Sequence, residues 1–274
     1  MFACYKGHTE IVKMLLDRGV DYNKFNNDGW SPVMFACDKG LTEIVRMLLD
    51  RGVDYNKFNN DGWSTVMFAC DKGHTEIVKI LLDRRVDYNK CNNDGWSSVM
   101  FACDKGHTEI VKILLDRGVD YNQCSNIGWS SVMFACDKGH TEIVGILLDR
   151  GVDYNKCNND GWSLVMFAYD KGHTEIVKML LDRGVDYDKC TNDGWSPVMC
   201  AYYNGHAEIV RMVLDRGVDD NKCTNDGWSP VMFACDKGHT EIVRMLLDKE
   251  VHYKQCSKFG WSPLMCAYDS GHKK

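Results

Sequence analysis

The chain has 274 residues, 45% of them apolar, and a formal net charge of −6 from 33 Lys and Arg against 39 Asp and Glu. No run of Lys or Arg supplies the basic footprint of a nucleic-acid binder, and no apolar stretch approaches the roughly 20 residues of a membrane span. Neither a secretory leader nor an Asn-x-Ser/Thr acceptor is seen, so a cytoplasmic, reducing setting without nucleic acid or membrane insertion is expected.

In chain order, Met1-Phe2-Ala3-Cys4 aligns with Met34-Phe35-Ala36-Cys37, so residues 1–27 form a partial unit that opens inside a helix. The first complete unit runs from Asp28 to Asn60. Asn27-Asp28-Gly29 is a turn signal. Ser31 followed by Pro32 predicts an N-cap with proline at the first helical position. Val33, Met34, Ala36 and Cys37 then give the buried stripe of a short helix, and Gly40 ends it at a position suited to positive φ. A second helix is predicted from Thr42-Glu43, with the acid at the positive end of the helix dipole. Ile44, Val45, Leu48 and Leu49 keep helical spacing, Arg46 takes the solvent side, and Asp50-Arg51-Gly52 is the stop. Val53 to Asn60 is polar and aperiodic, an extended connection to the next unit.

The unit returns over 61–93, 94–126, 127–159, 160–192, 193–225 and 226–258, and a partial unit covers 259–274. One tryptophan falls in each of these and in 28–60, always after the turn glycine: Trp30, Trp63, Trp96, Trp129, Trp162, Trp195, Trp228 and Trp261, spaced 33 residues apart. A fixed period of this size marks a stacked array rather than one core. Helices below about 12–15 residues are marginal alone, so each unit depends on its neighbours. Neither end reads as a polar capping repeat, and the chain is expected to belong to a longer array. Pro32, Pro197, Pro230 and Pro263 give way to Thr65, Ser98, Ser131 and Leu164 in the other copies. Arg85 replaces the stop glycine. If its backbone is left-handed, the cost is about 1 kcal/mol, and 61–93 becomes the locally least stable unit.

The 14 cysteines fall largely into columns. Cys4, Cys37, Cys70, Cys103, Cys136 and Cys235 share one position and read as small core hydrophobes. Cys91, Cys124, Cys157, Cys190, Cys223 and Cys256 share another. Stacked helices lie roughly 8–10 Å apart, beyond the roughly 7 Å that a disulfide spans, so free thiols are expected. No Cys-x-x-Cys pair exists, and neither a metal site nor a cofactor is expected.

The unit resembles the ankyrin repeat. The correspondence lies in Ser31-Pro32-Val33-Met34 for that family's Thr-Pro-Leu-His opening, and in Gly73-His74, Leu48-Leu49 and Gly52-Val53-Asp54-Tyr55-Asn56. The resemblance spans essentially the whole chain and implies an all-α solenoid of helix-turn-helix units joined by β-hairpin-like fingers. Methionine (Met34, Met67, Met100 and their equivalents) stands where the family has histidine. The hydrogen bonds of that histidine are therefore expected to be absent, with apolar packing in their place.

The resemblance also implies non-catalytic protein binding through a concave face and finger surface. It places the eight tryptophans in a ladder near the groove, flanked by Asp71-Lys72, Asp104-Lys105, Asp137-Lys138 and their equivalents. Tryptophan is enriched among interface hot spots; the competing role is that each ring lies flat on its neighbour and stiffens the stack. Asp-Lys pairs read equally as solvated, charge-balanced helix ends. The histidine column (His8, His74, His107, His140, His173, His206, His239, His272) and the Cys70…His74 spacing read as structural. Tyr22, Tyr55, Tyr88, Tyr121, Tyr154, Tyr187 and Tyr253 share a finger position. Two further functions fit the pattern: a regulatory module of a larger enzyme such as a kinase, and a mechanical spacer, which near-identical repeats would suit.

Overall fold

The start and stop signals of the first complete repeat fold as read. In the computed structural model, which describes residues 1–185, 190–217, 222–249 and 256–271, Ser31 is an extended N-cap whose Oγ accepts from the Met34 amide at 3.4 Å, and Pro32 is the first helical residue. The described residues hold seventeen helices, and their only β pairing is in isolated bridges. The architecture is all-α, as the repeat pattern requires.

The chain divides into two units, Met1–Val152 and Asp153–Lys274. In the first, the first helices of successive repeats are Phe2–Tyr5, Pro32–Asp38, Thr65–Lys72, Ser98–Asp104 and Ser131–Asp137. The second helices are Thr9–Asp17, Thr42–Asp50, Thr75–Asp83, Thr108–Asp116 and Thr141–Asp149. Each helix packs on its equivalent in the next repeat, and the two helices of a repeat pack on each other. Val33, Met34, Ala36 and Cys37 meet Ile44, Val45, Leu48 and Leu49 in a buried core, while Arg46 stays exposed.

Much of the stacking is polar and reaches about one repeat along the chain. Arg84 pairs with Asp50 at 2.5 Å, Arg117 with Asp83 at 2.6 Å and Arg150 with Asp116 at 2.7 Å. Tyr88 donates its hydroxyl to the Arg117 carbonyl at 2.6 Å, and Tyr121 to that of Arg150 at 2.8 Å. The tyrosine column thus caps the end of the next repeat's second helix. Tyr187 and Tyr253 lie outside the described residues.

The expected fingers are reduced to single antiparallel bridges, Phe58 with Ser64, Cys91 with Ser97 and Cys124 with Ser130 in the first unit. The turn is held by side chains instead. Asn59 Oδ1 accepts from the amides of Asp61 at 3.1 Å and Trp63 at 2.7 Å. Gly29 (φ +78°) is required twice over, because a Cβ there would also meet Asn60 Oδ1 at 2.6 Å.

In the second unit, Leu164–Lys171, Pro197–Asn204, Pro230–Asp236 and Pro263–Asp269 are the first helices, and Thr174–Asp182, Ala207–Asp215 and Thr240–Asp248 the second. Tyr169 and Tyr202 take the place of the core cysteine and are fully buried.

One expectation changes, and one condition is met. Met34 does more than pack: its Sδ accepts from the Ser31 amide at 3.4 Å, and Met67 and Met100 do the same for Ser64 and Ser97. A thioether cannot donate, but it is a weak acceptor, so the position keeps a polar role at the helix start. Arg85 does adopt the left-handed backbone, with φ +61°, and is the one described non-glycine residue to do so.

Candidate functional site: the aromatic ladder

Trp30 reaches its place because its amide donates to Asn26 Oδ1 at 2.7 Å across the turn, which brings the indole back over its own first helix. There it stacks on Phe35 with ring centroids 4.8 Å apart. Its other neighbour is Phe68 of the following repeat, at 4.3 Å. Trp63 lies in the same way between Phe68 at 5.0 Å and Phe101 at 4.2 Å, and Trp96 between Phe101 at 5.0 Å and Phe134 at 4.0 Å. Trp129 stacks on Phe134 at 5.1 Å. The expected ladder therefore exists in the first unit as an alternating Phe–Trp wall. Tryptophans are its half-exposed members, and Phe68, Phe101 and Phe134 are buried.

These phenylalanines were missed in the sequence. Their signal is a column five residues after each tryptophan: Phe35, Phe68, Phe101, Phe134, Phe167 and Phe233, broken by Cys200 and Cys266. A free indole would offer roughly 150–250 Å² to a partner. With phenylalanine on both sides, much less of each ring remains.

The polar flank also differs from a solvated helix end. Asp71 and Asp104 keep only 9% of their side-chain surface and Asp137 13%, each covered by its own lysine: Lys72 and Lys105 at 2.8 Å, Lys138 at 2.9 Å. Lys105 also reaches back to Asp71 at 4.0 Å. The hydrogen bond to the neighbouring carboxylate raises the pKa of Lys105 and Lys138. The lysines, about half exposed, are the groups that solvent meets.

The histidine column lies against backbone carbonyls. His74 Nε2 lies 3.1 Å from the Asp38 carbonyl of the previous repeat, and His107 and His140 repeat this on Asp71 and Asp104 at 3.1 and 3.0 Å. Cys70 is fully buried, and burial holds its thiol far above its ordinary pKa. None of the fourteen cysteines is in a disulfide; Cys190 and Cys256 are exposed and Cys235 is only half-buried. No cluster of three or more His, Cys, Asp or Glu suited to a metal occurs among the described residues. His252 and His272 lie outside them.

In the second unit, Trp162 stacks on Phe167 at 5.4 Å, Trp195 on Phe233 at 4.6 Å and Trp228 on Phe233 at 5.3 Å, while Trp261 is 37% exposed. Between Trp162 and Trp195 the wall is interrupted. Cys200 stands in the phenylalanine column, and an open cleft of about 490 Å³ lies between the indoles, bordered by Asp160, Asp170, Asp193 and Tyr203. Tyr203 meets Trp195 edge-on at 5.7 Å.

A family model described as ankyrin repeats (3 copies) matches residues 1–59, 53–125, 132–222 and 216–274. No curated protein matches the chain. No described helix is long and apolar enough to cross a membrane.

Proposed function

From its membership of the ankyrin-repeat family, whose arrays are generally protein–protein interaction modules, we propose that this chain is a non-catalytic scaffold that binds a partner protein along its aromatic ladder. The contact surface comprises the outer parts of Trp30, Trp63, Trp96, Trp129, Trp162, Trp195, Trp228 and Trp261 with the Asp-Lys flank at 71–72, 104–105 and 137–138. The observation that supports this most is the Phe–Trp wall: its indoles are fixed before binding, so little side-chain entropy is lost on contact. Fourteen cysteines outside any disulfide suit a reducing, cytoplasmic setting. Neither metal nor cofactor has a part in the proposal.

The test is affinity capture from the source cytosol, scored by quantitative mass spectrometry. Trp63→Phe/Trp96→Phe and Lys72→Glu/Lys105→Glu/Lys138→Glu keep a ring and a helix end in place, and circular dichroism confirms that each is folded. Loss of the same partner from both variants is expected. Undiminished recovery from both would leave the ladder as packing alone.

A further inference from the structure

The repeats are near-copies, so the place where they diverge carries information. In most copies the first helix reads Phe-Ala-Cys-Asp-Lys, as at 35–39, 68–72, 101–105, 134–138 and 233–237; at 200–204 it reads Cys-Ala-Tyr-Tyr-Asn. Three of these changes fall on the ladder. Cys200 removes the ring that fills most steps between two tryptophans, as Cys266 does between Trp228 and Trp261. Tyr203 takes the place of the aspartate and sets an aromatic edge against Trp195. Asn204 takes the place of the lysine and donates to Asp170 at 2.8 Å.

The result is a slot with aromatic walls and an acidic rim. In the filled step between Trp63 and Trp96, Phe101 lies 4.2 Å from one indole and 5.0 Å from the other. A planar group in the equivalent place between Trp162 and Trp195 would fall within the roughly 6 Å at which a cation is drawn to a ring face. Three carboxylates, Asp160, Asp170 and Asp193, face one lysine, Lys171, which pairs with Asp170 at 3.1 Å. The local charge is thus −3 + 1 = −2. Neither Asp160 nor Asp193 has an ion-pair partner among the described residues, and both are exposed. The floor is inert: Cys200 is buried, its thiol donates to the Ser196 carbonyl at 3.6 Å, and burial followed by the Asp170 charge pushes it up to about 12.

The adjacent cleft shows the same chemistry satisfied from within the chain. It is about 340 Å³ and shares Trp195 and Tyr203 with the first. There the Lys237 ammonium sits 4.5 Å from the Tyr203 ring centroid and 3.0 Å from Asp236. One face of Tyr203 therefore already holds a cation.

We propose that the cleft between Trp162 and Trp195, opened by Cys200 in the phenylalanine column, takes an arginine side chain of the partner protein. A guanidinium is flat like the missing ring, stacks on aromatic faces and pairs with carboxylates. Its charge matches the rim. The assignment rests on the protein-binding function above and gives the partner one chemical requirement.

The test is a titration of the full chain followed by the ¹H–¹⁵N resonances of the eight indoles, assigned by single Trp→Phe variants. The probes are Nα-acetylarginine methylamide and its neutral citrulline isostere. Saturable shifts of Trp162 and Trp195 are expected, at least about tenfold tighter for arginine than for citrulline. Cys200→Phe restores the residue of the other copies, so it should fold, and it should abolish the shifts. Equal binding of citrulline, equal shifts of all the indoles, or undiminished binding by Cys200→Phe would each overturn the assignment. Partner capture is scored separately. Its loss from the ladder variants bears on the scaffold function, whereas failure of the titration bears on this slot alone.

Discussion

Replacing Arg85 by glycine is expected to stabilise repeat 61–93 by about 0.5–1 kcal/mol. Arg85 holds φ +61°, where its equivalents Gly52, Gly118 and Gly151 hold +78° to +79°. A side chain in the left-handed region costs roughly 1–2 kcal/mol. Glycine returns part of that, about 0.4–1 kcal/mol, because its unfolded chain is freer. Nothing else enters the balance: the Arg85 side chain is exposed, and its amide hydrogen bond to the Leu82 carbonyl at 3.0 Å survives the change. A Cβ at Gly52, Gly118 or Gly151 would meet nothing within 4 Å, so the penalty is conformational and not steric.

Native-state hydrogen exchange reads this locally, as it must in a stack whose stability is a sum over repeats. Amides of Thr75–Asp83 should open more easily than those of Thr108–Asp116 in the parent chain. Their protection should rise about two- to fivefold in Arg85→Gly. The mirror change, Gly118→Arg, should move protection of Thr108–Asp116 down by the same factor. Equal protection of the two helices in the parent, or no gain in Arg85→Gly, would refute the reasoning.

Ser98 and Ser131 stand where Pro32 begins its helix, and their hydroxyls are buried without a partner, unlike that of Thr65, which donates to the Tyr55 carbonyl at 2.9 Å. Ser131→Pro should raise stability by about 1 kcal/mol or more in urea unfolding, from relief of the buried hydroxyl and a pre-set φ. Gly40→Ala should cost about 2–3 kcal/mol and Gly52→Ala about 1 kcal/mol. At Gly40 the new Cβ would meet the His74 ring at 2.6 Å and strip its hydrogen bond to Asp38, whereas Gly52 faces open space. Peptide mapping after iodoacetamide at pH 8 should find Cys190 and Cys256 alkylated. Cys37, Cys70, Cys103 and Cys136, buried and with thiol pKa raised by burial, should stay unmodified until the chain unfolds.

What the sequence made legible follows from short-range physics. Ser-Pro at the helix start, glycine at its end and the Ile-Val-Leu-Leu spacing act within one helix. The observed ends and core of Pro32–Asp38 and Thr42–Asp50 match them. The illegible part acts between repeats. A histidine column does not announce that His74 lies on Gly40, nor a tyrosine column that Tyr88 caps Arg117, because each partner is 29 to 36 residues away. The ladder was half legible for the same reason. Tryptophan stood out by rarity, while the phenylalanine between two indoles looked like any apolar residue of a first helix. The aspartates of the flank looked solvated because the lysine that covers each is the very residue that balances its charge.

These inter-repeat contacts also bear on the choice between scaffold and spacer. Near-identity of the repeats would suit a spacer if the constant residues faced solvent with nothing to hold. They do not. The glycines before Trp30, Trp63, Trp96 and Trp195 are fixed by the next repeat's asparagine, His74 by the previous repeat's carbonyl, and Arg84 at the helix end by the previous repeat's aspartate. Any one of these columns can drift only if its neighbour drifts with it, so stacking alone demands uniformity. Uniformity is then silent about ligands, and the informative positions are those where a column breaks at no benefit to the stack. Cys200 is such a break. A phenylalanine replaced by cysteine gives up aromatic contact on both sides and leaves an open cleft of about 490 Å³ between two rungs of the ladder. In a pure spacer that loss would have no return. Beside two indoles and three carboxylates it creates the feature that a uniform wall lacks, a place where one particular side chain can enter.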